Sequence, residues 1–229
     1  MLMSVIAAFI SSRDGVTASD GRKLGSIDLA NGVPSKPYEV ESDDFEKTFS
    51  LAGGKVIGAF CGLLEFGKRT IAEHIQEITR DSFSSGRTFM QIVDLVQQEL
   101  TARLNQVDDG EVTRLCRNVD LLIVGGAQLT RKKMRIAGVR FCAKPDGVTT
   151  TRNVVSAPRY KQYYVYGEDL ACRAAIRTFE ADRSPDCSIS FLRKMVKGAI
   201  SAGIQNCGIK EPGGVRACGG KVFTTWTQY

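Results

Sequence analysis

The sequence predicts an α+β protein in which blocks of strands alternate with pairs of helices. Three observations carry this. In chain order, the apolar periodicity reads as strands, two helices, strands, two helices and a closing strand. Helices do not alternate with single strands, which argues against a doubly wound parallel sheet. Three of the four helical stretches carry an apolar stripe and so have one face to cover. Two stacked sheets with helices on their outer faces satisfy all three. Periodicity alone leaves that as one arrangement among several. No repeat at a fixed period and no linker divides the chain, so residues 1–229 read as one domain.

Val5 to Ile10 is an apolar run long enough for one buried strand. Arg13-Asp14-Gly15 reads as a tight turn, because Gly tolerates positive φ and Asp bonds its own backbone. Val16 to Ser19 is a second short strand ending in Asp20-Gly21-Arg22-Lys23. Residues 24–44 read as a loop, broken by Asn31-Gly32, Pro34 and Pro37 and acidic from Glu41 to Asp44. Phe45 to Leu51 is a candidate strand, Gly53-Gly54 a hairpin turn, and Lys55 to Cys61 a strongly apolar strand.

Residues 63–83 read as helical, with Ile71, Ile75 and Ile78 on one face. Residues 84–88 break the pattern. Residues 89–104 form a second amphipathic helix with Phe89, Val93, Val96 and Leu100 on its stripe, and Asp108-Asp109-Gly110 ends it. Strands return at Asn118 to Gly125 and Met134 to Ala143, with Gln128 to Lys133 as the turn between them. Residues 144–159 are polar, hold two prolines and read as an irregular connection. A short aromatic strand, Gln162 to Tyr166, precedes an alanine-rich helix from Glu168 to Ala181. Ile189 to Ile204 is a fourth helix, with Leu192, Met195, Val196, Ala199 and Ile200 as its apolar face. Residues 208–220 form a glycine-rich loop before a terminal strand, Lys221 to Thr227.

Composition narrows the function classes. The net charge of +6 is modest for 229 residues, and the basic residues are scattered apart from Arg131-Lys132-Lys133. A nucleic-acid role is not expected. No apolar run reaches membrane-spanning length, and the N-terminus makes a poor signal peptide, so a cytoplasmic location is the default expectation. Seven cysteines are widely spaced with no C-x-x-C pair, and they read as buried free thiols. The single histidine, His74, excludes a multi-histidine metal site and is expected to pack on its helix or sit at the surface. No cofactor and no metal are expected.

Three segments of the first sixty residues resemble the proteasome-type Ntn hydrolases, whose nucleophile is the first residue of the mature chain. Val5 to Phe9 looks like the strand directly after that nucleophile, with Ser4 in its place. Val16-Thr17-Ala18-Ser19-Asp20-Gly21-Arg22 resembles the family's strand ending in an aspartate and an arginine, and Asp20 matches the catalytic aspartate. Glu46-Lys47-Thr48-Phe49, followed by Val56 to Leu63, looks like the segment holding the catalytic lysine and, after a hairpin, the oxyanion glycine. Lys47 and Gly62 match those positions. The resemblance implies a four-layer αββα sandwich of two antiparallel sheets flanked by helix pairs, the Ntn hydrolase fold. It also implies a homo-oligomer acting on a peptide or small amide.

Two later segments depart from the family. Gly167-Glu168-Asp169-Leu170 stands where a Gly-Ser-Gly type segment carries a serine near the nucleophile. Cys218-Gly219-Gly220 resembles the family's late Ser-Gly-Gly segment, but the aspartate expected three residues before it is Val215. The resemblance therefore leaves three functions open. They are amide or peptide bond hydrolysis through an acyl-Ser4 intermediate, a catalytically inactive structural subunit, and an acyl-transfer ligase in which an amine replaces water.

Each site residue also has a plain structural reading. Ser4 can be a strand-start hydroxyl behind Met1-Leu2-Met3, Asp20 a turn aspartate, Lys47 a solvent-facing strand residue and Gly62 a bend glycine. The nucleophile reading requires Ser4 to become a free N-terminus. Initiation at Met3 followed by methionine removal would suffice. Initiation at Met1 would require cleavage between Met3 and Ser4.

Overall fold

The computed structural model describes residues 4–25, 29–30, 33–34, 39–83, 86–108, 112, 116–126, 133–157, 161–210 and 214–228. Several expectations lie outside the described residues: the leader Met1 to Met3, the Asn31-Gly32 and Pro37 interruptions, the Ser84-Ser85 break, Asp109-Gly110, and the turn over 128–132 with its Arg131-Lys132 pair.

Among the described residues, nine strands build the two main antiparallel sheets. The first has β1 (Val5–Ile10), β2 (Asp14–Asp20), β8 (Gln162–Gly167) and β9 (Val222–Gln228), in the order β8-β1-β2-β9. The second has β3 (Thr48–Leu51), β4 (Val56–Gly62), β5 (Val119–Gly126), β6 (Met134–Lys144) and β7 (Gly147–Ser156), in the order β7-β6-β5-β4-β3. Helices α1 (Ile71–Thr79) and α2 (Phe89–Gln106) cover the second sheet, and α3 (Asp169–Glu180) and α4 (Ile189–Asn206) cover the first. The architecture is the αββα sandwich.

Three apolar layers hold it together. β1 is buried at every position because both of its faces are covered. Val5, Ala7 and Phe9 meet Ala171, Phe179, Leu192 and Val196 of the α3–α4 pair. Ile6, Ala8 and Ile10 meet Ile57, Ala59, Leu122 and Val124 of the second sheet. Val119, Leu121 and Ile123 turn the other way, onto Ile75, Val93, Val96 and Leu100 of α1 and α2. A strand covered on both faces loses the alternation of a half-buried strand, hence the continuous apolar runs.

Five expectations need correction. Residues 144–159 are not an irregular connection, since β7 pairs with β6 along its whole length from Gly147 to Ser156. It is an edge strand with most of its side chains exposed, so it needs few apolar residues and its polarity masked it. Its β-branched residues, Thr149 to Thr151 with Val154 and Val155, suit the extended backbone, and both prolines fall outside it. Residues 63–70 are not helical. Glu65–Phe66 and Arg69–Thr70 form a small hairpin, and α1 starts only where Thr70 and Glu73 make a capping box. The first turn lies earlier than Arg13-Asp14-Gly15, because Ser11 N–H donates to Asp14 O at 2.8 Å and the Ser11 hydroxyl accepts from Asp14 N–H at 3.1 Å. Gly15 is already in β2. Phe45 to Leu51 is extended only from Thr48. The 24–44 and 208–220 regions carry short ribbons, Lys23–Leu24 with Val40–Ser42, Leu29–Ala30 with Val33–Pro34, and Ile209–Lys210 with Val215–Arg216.

Register brings several strand ends together. Val5 lies opposite Gly167, Ile6 opposite Ser19, and Asp20 opposite Val222. In the other sheet Thr48 lies opposite Ala59, and Val119 opposite Gly62. The start of β1, the ends of β2 and β8, and the start of β9 thus lie at one end of the first sheet. The start of β3 and the end of β4 lie at one end of the second.

Candidate active site

Ser4 immediately precedes β1, and its carbonyl accepts the Glu168 N–H at 2.9 Å. That bond continues the β1–β8 ladder by one step and fixes the Ser4 backbone. Asp20 ends β2 next to it. Lys47 enters from the second sheet, immediately before β3, anchored by Phe60 N–H donating to Lys47 O at 3.0 Å. Ser4 is 2% exposed, and Asp20 and Lys47 are 0% exposed. The solvent-facing reading of Lys47 is therefore wrong. Parity along a short strand could not reveal this, because the face of Lys47 is covered by another sheet.

The Lys47 Nζ donates to Ser4 Oγ at 2.6 Å, to Asp20 Oδ1 at 3.2 Å and to the Arg22 carbonyl at 2.5 Å. An ammonium has three N–H groups, and here each has an acceptor. Asp20 is matched as fully. Its Oδ1 also accepts Val5 N–H at 3.0 Å, and its Oδ2 accepts Arg22 N–H at 3.3 Å and Gly219 N–H at 3.2 Å. Asp20 is thus both the turn aspartate and the lysine partner. The two buried charges offset each other, and their remaining hydrogen-bonding capacity is filled, which is what makes such a pair tolerable in a core.

Arg22 clamps the surroundings. Its guanidinium makes a two-pronged bond to Asp43, 2.6 Å from Nε and 2.9 Å from Nη2, and its Nη1 donates to Arg216 O at 3.1 Å. Those bonds hold the Asp43 carboxyl below its ordinary range. The guanidinium lies flat against Gly219, where an added Cβ would come within 2.4 Å of the Arg22 Cζ. Only glycine fits that approach.

Gly62 closes β4 with a φ of 97°, a conformation that glycine adopts without strain. It sits two residues beyond Phe60, the residue bonded to the Lys47 backbone. Among the described residues no hydrogen bond joins it to Ser4, Asp20 or Lys47. The structure thus brings Ser4, Asp20 and Lys47 into direct contact and leaves Gly62 one strand-end away. Cys61, next to Gly62, is buried between the sheets, and burial pushes its thiol well up.

Sequence reasoning missed three participants. The Arg22 carbonyl is the third acceptor of Lys47, and a backbone oxygen leaves no trace in residue type. The Gly219 N–H reaches Asp20 across 199 positions of sequence separation. Glu168 is more than an absent serine: its carboxylate caps α3 by accepting Ala171 N–H at 2.9 Å. Capping preferences favour Ser, Thr, Asp and Asn at that position, so the role was not evident.

The chemistry follows from the donors. Lys47 donates to Ser4 Oγ, so the hydroxyl serves Lys47 as an acceptor and its own proton must leave to another base. Nothing on Lys47 accepts it while all three N–H groups are donated. The trio can position a hydroxyl and place positive charge beside it, which favours its conversion to an alkoxide-like nucleophile.

Neither protein-family models nor curated proteins match the chain. The fold itself defines the class: an α+β chain with two antiparallel sheets between helix pairs, consistent with an Ntn-hydrolase-like sandwich. No helix among the described residues is long and apolar enough to cross a membrane.

Proposed function

We propose that the protein is an amide or peptide bond hydrolase whose nucleophile is Ser4 once residues 1–3 have been removed. The observation that carries this reading is the 2.6 Å bond from Lys47 Nζ to Ser4 Oγ, buried beside Asp20. Removal of residues 1–3 turns the Ser4 amide nitrogen into an amine that titrates near pH ~8. That amine supplies the missing base, directly or through one water. Ser4 Oγ attacks the substrate carbonyl, its proton passes to the amine, and the carbonyl oxygen becomes an oxyanion. Lys47 stabilises the developing negative charge, Asp20 holds Lys47 in place, and the Gly62 N–H donates to the oxyanion. The amine returns the proton to the leaving group, leaving an acyl-Ser4 ester. Water activated by the same amine hydrolyses the ester and regenerates Ser4.

The reading takes 1–229 as one domain. Homo-oligomerisation rests on the family resemblance alone, because the stripes of α1 and α2 are already used against the second sheet; light scattering in solution measures it. The test of the chemistry has two parts. Intact mass should show a chain beginning at Ser4, and Ser4→Ala should abolish turnover of a peptidyl-amide panel in folded protein. A chain that retains Met3, or undiminished turnover in S4A, overturns the mechanism.

A second reading, a non-hydrolysing subunit of the same fold, is favoured by two observations. The α3 start carries a capping glutamate in place of a serine, and Val215 stands where the resemblance expects an aspartate. A chain beginning at Ser4 that neither turns over amides nor reacts with hydroxyl-directed acylating probes would support it.

A further inference from the structure

Close to the Asp20 carboxylate the fold brings together two thiols that the proposed chemistry does not use. Cys207 ends α4, and its Sγ accepts the backbone N–H of Cys218 at 3.0 Å. Both are free, Cys207 5% and Cys218 1% exposed. The Cys207 Sγ also lies 3.6 Å from the Gly208 carbonyl oxygen, to which its S–H can donate. The Cys218 thiol, then the N–H groups of Cys218 and Ala217, bring Cys207 down to about 7. The neighbouring Cys207 sulfur and then burial push Cys218 up. Of the two, Cys207 is the sulfur whose surroundings favour the thiolate and Cys218 the one that keeps its proton.

The neighbours of Cys218 tie this pair to the buried ion pair. The next residue, Gly219, donates its N–H to Asp20 Oδ2 at 3.2 Å, and its carbonyl accepts Gly21 N–H at 3.0 Å. A disulfide needs its sulfurs about 2 Å apart, closer than two unbonded sulfurs can approach. Closing it moves Cys218 against α4 and displaces the Gly219 peptide that Asp20 grips.

We propose that Cys207 and Cys218 form an oxidisable pair that a hydroperoxide converts to a disulfide, loosening the Gly219 contact to Asp20. In the first step the Cys207 thiolate attacks one peroxide oxygen. The O–O bond breaks, and the departing oxygen leaves as water or an alcohol after taking a proton. The product is a sulfenic acid. Cys218 sulfur then attacks the Cys207 sulfur, the S–O bond breaks, and hydroxide leaves as water with the Cys218 proton. The two thiols lose two electrons and two protons, and the peroxide gains both.

The test uses the full chain carrying Cys187→Ser, which removes an exposed thiol. The protein is treated with hydrogen peroxide, alkylated under denaturing conditions and digested with trypsin without reduction. Trypsin cuts after Lys210 and Arg216, so a disulfide joins two otherwise separate peptides. The expected result is that cross-link, loss of both thiols to alkylation, and reversal by dithiothreitol. Full alkylation of both cysteines after peroxide, or a cross-link to another cysteine, overturns the proposal. Cys218→Ser should stop at a dimedone-trappable sulfenic acid on Cys207. Should that variant not fold, Cys207→Ser serves instead and should leave Cys218 unoxidised; oxidation of Cys218 in C207S overturns the order of steps. Hydrogen exchange in the peptide holding Gly219 should rise on oxidation, and unchanged exchange overturns the link to Asp20. These readouts do not depend on turnover. The catalytic consequence, a reversible loss of amide hydrolysis on oxidation, rests on the Ser4 reading. Turnover absent in both redox states would count against that reading and leave the cross-link standing.

Discussion

Ser4, Asp20 and Lys47 meet side chain to side chain, whereas Glu168 and Gly219 reach the same place through their backbones. The first group leaves little freedom of residue type. A buried ammonium with three acceptors and a buried carboxylate with four donors form one closed set, and losing a member strands the others. The second group is tolerant at 168, while Gly219 is held to glycine by the Arg22 guanidinium and not by its bond to Asp20. A backbone N–H donates in the same way whatever side chain follows it, so a glutamate at 168 or a valine at 215 does not dismantle the trio. Departures from a family pattern therefore weigh differently at the two ends of the chain. Early ones would remove the site, and late ones alter its surroundings.

The largest expected effect tests the closed set. Lys47→Met should cost about 3 kcal/mol of stability, because Asp20 keeps a buried charge without its counter-ion. Adding Asp20→Asn should recover part of that loss, since close partners are not additive. Urea denaturation of both variants measures it, and a K47M chain as stable as wild type would show that the pair is not a unit. Ser4→Ala comes next. It should abolish turnover and lower stability by only about 1 kcal/mol, for the one Lys47 N–H it leaves unpaired.

On the tolerant side the effects are smaller. Glu168→Ala should cost about 1 kcal/mol through loss of the α3 cap, while Glu168→Ser keeps a good cap and should melt close to wild type. A turnover change in E168S without a stability change would assign that side chain to the chemistry and not only to the helix.

The smallest effect lies far from the site and separates global from local stability. His74 stacks on Phe66, with Nε2 3.1 Å from Phe66 O and Nδ1 3.1 Å from Arg103 Nη1. Arg103 can only donate, so Nδ1 accepts and the ring is neutral. Burial, with Arg103 and Arg69 nearby, holds its pKa below 6.5. The unfolded chain then binds a proton that the folded chain does not, between the folded value and 6.5. Stability from this group is present above that window and is lost as pH falls through it. Thermal melts above and below pH 6.5 should show a smaller acid loss in His74→Gln; an equal loss would place the acid sensitivity elsewhere.

The order of elements and most core faces were legible in the sequence because burial on one or two faces writes itself into periodicity. Phe89, Val93, Val96 and Leu100 form the α2 stripe as spaced, and Leu192, Val196, Ala199 and Ile200 do the same for α4. The edge strand β7 was not legible, since a strand with one neighbour and exposed side chains has no apolar pattern to read. Ser4, Asp20, Lys47 and Gly62 were singled out by the family resemblance of their segments, which does not show which of them touch. Tertiary structure decided which of them touch. It put Lys47 under another sheet, gave it the Arg22 carbonyl as a third acceptor, brought Gly219 to Asp20 and set Cys218 against Cys207. The physical reason is that side-chain type and period are local properties of the chain, whereas backbone donors and acceptors are the same at nearly every residue and acquire a role only when packing brings distant segments within hydrogen-bond reach.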